Sequence, residues 1–129
     1  MLLFSICAKM KGKNPYTGVS LVENLSKDTF EQRVLAEQDT CLVLFGKETC
    51  PICQEVHPLL EEIEEGYSDR PFHFYYVDAA SEDELFHALK LHGVPSTLFF
   101  RAGQEVQRFS GSREYEEFEF FIDRVIEGR

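Results

Sequence analysis

With 129 residues, the chain is the size of one domain and long enough to bury a core without disulfide staples. Its 13 basic against 23 acidic residues leave a net charge of −10, which argues against a nucleic-acid surface, where clustered Lys and Arg neutralise phosphates. Four irregularly spaced cysteines do not make a secreted disulfide scaffold, and no apolar run reaches the roughly 18 residues of a membrane span.

Residues 1–18 read as an N-terminal extension of uncertain order, and 19–129 as the folded domain. The opening LLFSICA (2–8) is apolar, but Lys9, Lys11 and Lys13 follow it rather than precede it, the reverse of a secretory leader. The expected compartment is therefore the cytoplasm. NPYTG (14–18) is turn-forming, and VSLVENL (19–25) reads as a short strand with Val19, Leu21 and Glu23 alternating. Ser26 is placed to N-cap a helix whose inner face carries Phe30, Val34 and Leu35. CLVLF (41–45) is a continuous apolar run, the pattern of a strand buried on both faces.

PICQEVHPLLEEIEE (51–65) spaces Val56, Leu59, Leu60 and Ile63 as one helical face, with a kink expected at Pro58. The aromatic PFHFYYV (71–77) is β-prone and ends at Asp78. SEDELFHALKLHG (81–93) predicts a helix with a Ser81–Glu84 capping box, Leu85, Ala88 and Leu89 inward, and a stop at Gly93. STLFFRAGQEVQRFSG (96–111) reads as two strands about an Ala102–Gly103 turn. SREYEEFEFFIDRVIEG (112–128) is the last helix, with Phe118, Phe121, Ile122, Val125 and Ile126 inward. The order β-α-β-α-β-α-β-β-α predicts an α/β fold: a mixed central sheet, parallel at first with an antiparallel hairpin at one edge, and helices on both faces.

The chemistry concentrates in KETCPIC (47–53). Cys50 falls where a buried strand meets a helix N-terminus, and Pro51 suits the first helical position. Unsatisfied N–H groups there favour a thiolate, the nucleophile of disulfide exchange, and Lys47 adds positive charge that Glu48 offsets. Cys53 lies one turn later on the same side, placed to attack a mixed disulfide at Cys50. Two other readings compete: a pair of inert small hydrophobes, or a metal site. Cys50, Cys53 and His57 offer three ligands from one helix, but no second Cys or Cys/His pair completes a tetrahedron, so no metal is expected. His57 is also a possible proton acceptor for Cys53, four residues away on one helical face, with Glu48 and Glu55 as weaker candidates. Cys41 reads as an inert residue opening the buried strand, and Cys7 lies in the extension.

Over about residues 19–127 the sequence resembles the thioredoxin superfamily. Beyond Cys-x-x-Cys, the resemblance rests on Pro58 five residues after the second cysteine, GVPSTLFF (93–100), the hairpin FFRAGQEV (99–106) and Gly111 after it. It implies a thioredoxin-like fold and a thiol–disulfide oxidoreductase without metal or bound cofactor. Cys50 attacks protein disulfides, Cys53 resolves, and Pro95 is a cis-proline that leaves the Val94 backbone free to pair with an extended substrate. Thr49 and Ile52, flanking the cysteines, join Val94 and Pro95 as substrate-contacting candidates. A flavoprotein disulfide reductase is the implied partner for regeneration. The chain departs from the family where its buried acid falls at Leu44, its lysine at Phe74 and its tryptophan at Thr49. The Pro-first dipeptide is similar to that of glutaredoxins, but Gly93-Val94-Pro95 and Ser110-Gly111-Ser112 replace their usual Thr-Val-Pro and Gly-Gly, so glutathione specificity is not expected. The departures keep open a binding module on the same groove, or a redox sensor with slow turnover.

Overall fold

A computed structural model describes residues 22–128. Five strands form one mixed sheet in the order β1-β3-β2-β4-β5, with β1 at Glu23–Asn24, β2 at Cys41–Gly46, β3 at His73–Asp78, β4 at Ser96–Arg101 and β5 at Gln104–Ser110. β3 pairs in parallel with β1 and β2, and β4 is antiparallel to β5, as expected; β4 is also antiparallel to β2, where the strand–helix alternation implies a parallel pairing.

Each strand divides its side chains between two cores because successive residues point to opposite faces. On one face, Leu42, Leu44, Phe74 and Phe99 meet Val56, Leu60 and Ile63 of helix α2 (Pro51–Gly66) and Phe118, Ile122 and Val125 of helix α4 (Tyr115–Glu127). On the other, Val43, Phe45, Tyr75, Val77, Leu98 and Phe100 meet Phe30 and Val34 of helix α1 (Lys27–Phe30, continued by wider turns over Glu31–Ala36) and Leu85 of helix α3 (Asp83–Ala88). Every residue of β2 is buried, so the central strand is clamped from both sides. Each such Leu or Phe contributes about 1.5–3 kcal/mol of burial, which fixes the C-terminal end of β2, from which the cysteine loop departs.

Several local expectations are corrected. The described part of the first strand is two residues long, and Val22 and Leu25 point inward instead of Glu23. Glu23 stays in water and pairs with Arg33 Nη1 at 2.9 Å, sparing the sheet a buried carboxylate. Val19, Leu21 and residues 1–18, with Cys7, lie outside the described residues. Ser26 does cap α1, in a box with Thr29. Leu35, however, is 41% exposed, because it turns its backbone rather than its side chain towards the β4–β5 turn.

The Ser81–Glu84 box does not form. Asp78 Oδ1 accepts from Ala80 N–H at 3.0 Å and holds the chain in a turn, so α3 starts only at Asp83. Glu82 instead reaches across and accepts from Lys27 N–H at 2.8 Å, capping the neighbouring helix. α3 ends at Ala88, which is exposed, and Lys90 adopts φ +61° well before Gly93.

The β4–β5 connection is a two-residue turn with Ala102 at φ +55° and Gly103 at φ +78°, a backbone that matches the twist of paired strands. A Cβ at Gly103 would stand 3.2 Å from Leu35 O. Gly103→Ala is therefore expected to destabilise the protein by about 1–2 kcal/mol, through the left-handed penalty and this contact. A lower urea midpoint with an unchanged slope checks it; an unchanged midpoint contradicts it.

Candidate active site

The loop leaving β2 is pinned before it reaches the cysteines. Cys50 N–H donates to Lys47 O at 3.2 Å, and Gln54 Nε2 donates to Glu48 O. Cys50 is the N-cap of α2, with φ −96° and ψ 113°, and Pro51 opens the helix. Its Sγ accepts the N–H of Cys53 at 3.2 Å, taking the place a hydroxyl or carboxylate oxygen occupies in an ordinary cap. Val94 O lies 4.0 Å from the same sulfur. The Val94–Pro95 peptide is cis, as the resemblance implies.

The two thiols are electrostatically unlike. The Cys50 thiol is held below the ordinary cysteine value, first by the hydrogen bond of the Cys53 side chain, then by the N–H groups of Cys53 and Ile52 and by Lys47. Cys53 is buried, and desolvation pushes its thiol up to about 11, with the hydrogen bond to Cys50 acting in the same direction. The arrangement favours ionisation of Cys50 over Cys53, so Cys50 is the more readily formed thiolate of the pair. Both are free thiols, as is Cys41, which is buried in β2 with its thiol raised by desolvation.

Around the pair, Thr49 is exposed, Ile52 is 46% exposed, Val94 is half-buried and Pro95 is buried. Among the described residues Val94 makes no backbone–backbone hydrogen bond, and its carbonyl faces Cys50 Sγ, so its edge is open to another chain. His57 makes no hydrogen bond to either cysteine. Its ring sits edge-on to Tyr76 with centroids 5.0 Å apart, and its Nδ1 is 3.4 Å from Glu61 Oε2. No group of three or more His, Cys, Asp or Glu among the described residues is placed to hold a metal ion.

Two residues near the pair escape sequence reasoning. The Tyr76 hydroxyl and Cys53 Sγ both approach the point a Cβ on Gly46 would occupy, at 3.1 and 3.2 Å. Tyr76 thus fills the space that the missing side chain leaves beside the buried thiol. Burial, then Asp78 and the cysteines, push its hydroxyl up to about 12, so it remains a neutral donor. Leu44 stands between Tyr76 and Thr97 in the sheet register, and Thr97 Oγ1 is buried without a hydrogen-bond partner among the described residues. Two hydroxyls therefore flank the position where the resemblance leads one to look for an acid. Only the register between β3, β2 and β4 could have revealed them.

The asymmetry of the thiols is directly measurable. Alkylation by iodoacetamide, followed by mass spectrometry against pH, should label Cys50 with a midpoint below the free-cysteine value of about 8.5, and Cys53 only towards pH 11. Cys53→Ala should move the Cys50 midpoint upward by removing its largest stabilising contact. Equal midpoints for the two thiols would contradict the geometry.

The comparisons with known proteins agree with this geometry. The thioredoxin family model matches residues 21–124. The thioredoxin of Acidithiobacillus ferridurans is 31% identical over 103 residues, covering 79% of this chain and 94% of that protein. The chloroplastic thioredoxin M4 of Arabidopsis thaliana is 24% identical over 105 residues, or 81% of this chain. The chain spans 54% of that protein's length, and 20% and 15% of two longer relatives. Among solved structures, Malassezia sympodialis thioredoxin superposes with a TM-score of 0.72 at 21% identity, covering 81% of this chain and 90% of its own, a likeness of fold. The chain belongs to the thioredoxin family.

Proposed function

We propose that this chain is a thiol–disulfide oxidoreductase that reduces disulfides in protein substrates through Cys50 and Cys53. Members of the family are generally thiol–disulfide oxidoreductases. The observation that carries the proposal for this chain is the Cys53 N–H hydrogen bond to Cys50 Sγ at a helix N-terminus, which selects one sulfur as the thiolate.

In the proposed reaction the Cys50 thiolate attacks one sulfur of a substrate disulfide. The other sulfur leaves as a thiolate and takes a proton from water. A mixed disulfide now joins Cys50 to the substrate. Cys53 then gives up its proton and attacks Cys50 Sγ, expelling the second substrate thiolate and closing a Cys50–Cys53 disulfide. Two electrons pass from the dithiol to the substrate, and an external reductant, for which a flavoprotein disulfide reductase is the family expectation, returns them. The open edge of Val94 supports pairing with an extended substrate strand, and exposed Thr49 and Ile52 support contact beside it. In this reading the reaction belongs in the cytoplasm, where thiols are kept reduced.

A second reading has one observation in its favour. Leu44 and Phe74 are buried in an apolar core, and among the described residues no Asp or Glu is buried to take the proton from a thiol raised to about 11. Slow resolution would make the pair a sensor rather than an efficient reductase.

Cys53→Ser should accumulate a mixed disulfide with a protein substrate, seen as a mass increase by the substrate and reversed by dithiothreitol. Cys50→Ser should neither trap nor reduce it, leaving the uncatalysed rate. Trapping by Cys50→Ser through Cys53 would reverse the assignment of roles.

A further inference from the structure

A groove of about 520 Å³ adjoins the active site on the β4–β5 side, lined by residues 90–96 and 108–111. It shares Val94 and Pro95 with the site, and so begins within 4.0 Å of Cys50 Sγ. Its charged lining residues are Lys90 and Arg108, with His92 beside them and no carboxylate, in a chain whose net charge is −10.

The two permanent cations differ in freedom. Arg108 is fixed: its Nη2 donates to Glu105 Oε1 at 2.8 Å and to Leu89 O at 3.0 Å. Lys90 enters no ion pair with a described residue, and it is an exposed residue of the groove lining. The floor is rigid, with Gly111 N–H donating to Pro95 O at 2.8 Å and Ser96 Oγ donating to Gly93 O at 2.7 Å. Across β2, on the β1–β3 side of the cysteines, a second groove has the opposite character, lined by Glu48, Asp78 and Glu82 without a cation. Cys50 thus stands between a cationic and an anionic wall.

We propose that the groove beside Pro95 takes an acidic segment on one flank of the substrate's disulfide, so that the site favours extended peptides with acidic residues on that flank alone. The inference rests on the oxidoreductase reading above and names its substrate class. It runs against the long-range field: a chain of this net charge draws basic peptides from a distance, whereas local contacts act once the strand is seated and within about 10 Å.

The test uses the full chain, reduced, with five synthetic peptides dimerised through one cysteine. Three residues are Asp before or after it, Lys before or after it, or Ser throughout. Second-order rate constants are divided by those of dithiothreitol on the same peptide, which removes intrinsic disulfide reactivity. One of the two Asp peptides should react about fivefold faster than the Ser peptide, the size expected from one or two exposed ion pairs. That advantage should disappear in Lys90→Glu. The proposal is overturned if neither Asp peptide exceeds the Ser peptide, if a Lys peptide is the fastest, or if the advantage survives in Lys90→Glu. If the protein reduces none of them, the oxidoreductase reading fails. Fluorescence anisotropy with Ser-for-Cys peptides then decides the groove: tighter binding of one Asp peptide, lost in Lys90→Glu, upholds it, and any other order overturns it.

Discussion

The site depends on the contact of Cys53 with Cys50 Sγ, through its side chain first and through its N–H at 3.2 Å beside it. The N–H is a donor that every helix leaves unpaired in its first turn, so the protein stabilises a thiolate without placing a dedicated base. Pro51 suits the position, having no N–H to leave unsatisfied. The same contact orders the two sulfurs: the acceptor becomes the thiolate, and the donor's own side chain turns into the buried helix face as a thiol. Everything else in the fold serves to hold the start of α2 at the end of β2. A strand buried along its whole length, paired on both edges and clamped by helices on both faces, does this with apolar contacts and ladder hydrogen bonds.

What surrounds the buried thiol is less usual. Leu44 and Phe74 are buried in an apolar core, the Tyr76 hydroxyl approaches the same space as Cys53 Sγ, and the hydroxyls of Tyr76 and Thr97 flank Leu44 in the sheet. A neutral environment keeps Cys53 protonated more firmly than a solvated thiol, because desolvation penalises the charged form. The cost falls on the second half of an exchange cycle, where that proton must leave. The first half is spared it. Such a division suits a protein that captures a disulfide readily and releases it slowly, and it connects the reductase and sensor readings through one physical quantity.

Much of this was legible in the chain. The all-apolar CLVLF run, the Pro-opened helix with Cys50 at its start, the Ala102–Gly103 turn and the spacing from Cys53 to Pro58 and Pro95 each carry a local physical signature. Where sequence reasoning failed, a distant partner decided. Ser81 lost its cap because Asp78 turns the chain first and Glu82 is drawn to Lys27, far away in sequence. Glu23 faces water because Arg33 lies beside it. Tyr76 beside Cys53 depends on Gly46 leaving room, which no periodicity records.

The central claim is that Cys50 and Cys53 form a single reversible redox couple. An equilibrium titration against glutathione or dithiothreitol buffers tests it most directly, with the thiols counted by mass after alkylation and Cys50→Ser as the control. The account predicts one two-electron transition, tenfold in equilibrium constant for about every 30 mV, that vanishes in the control. No reversible transition, or one that persists without Cys50, would contradict it and leave a thioredoxin fold that binds partners without exchanging electrons.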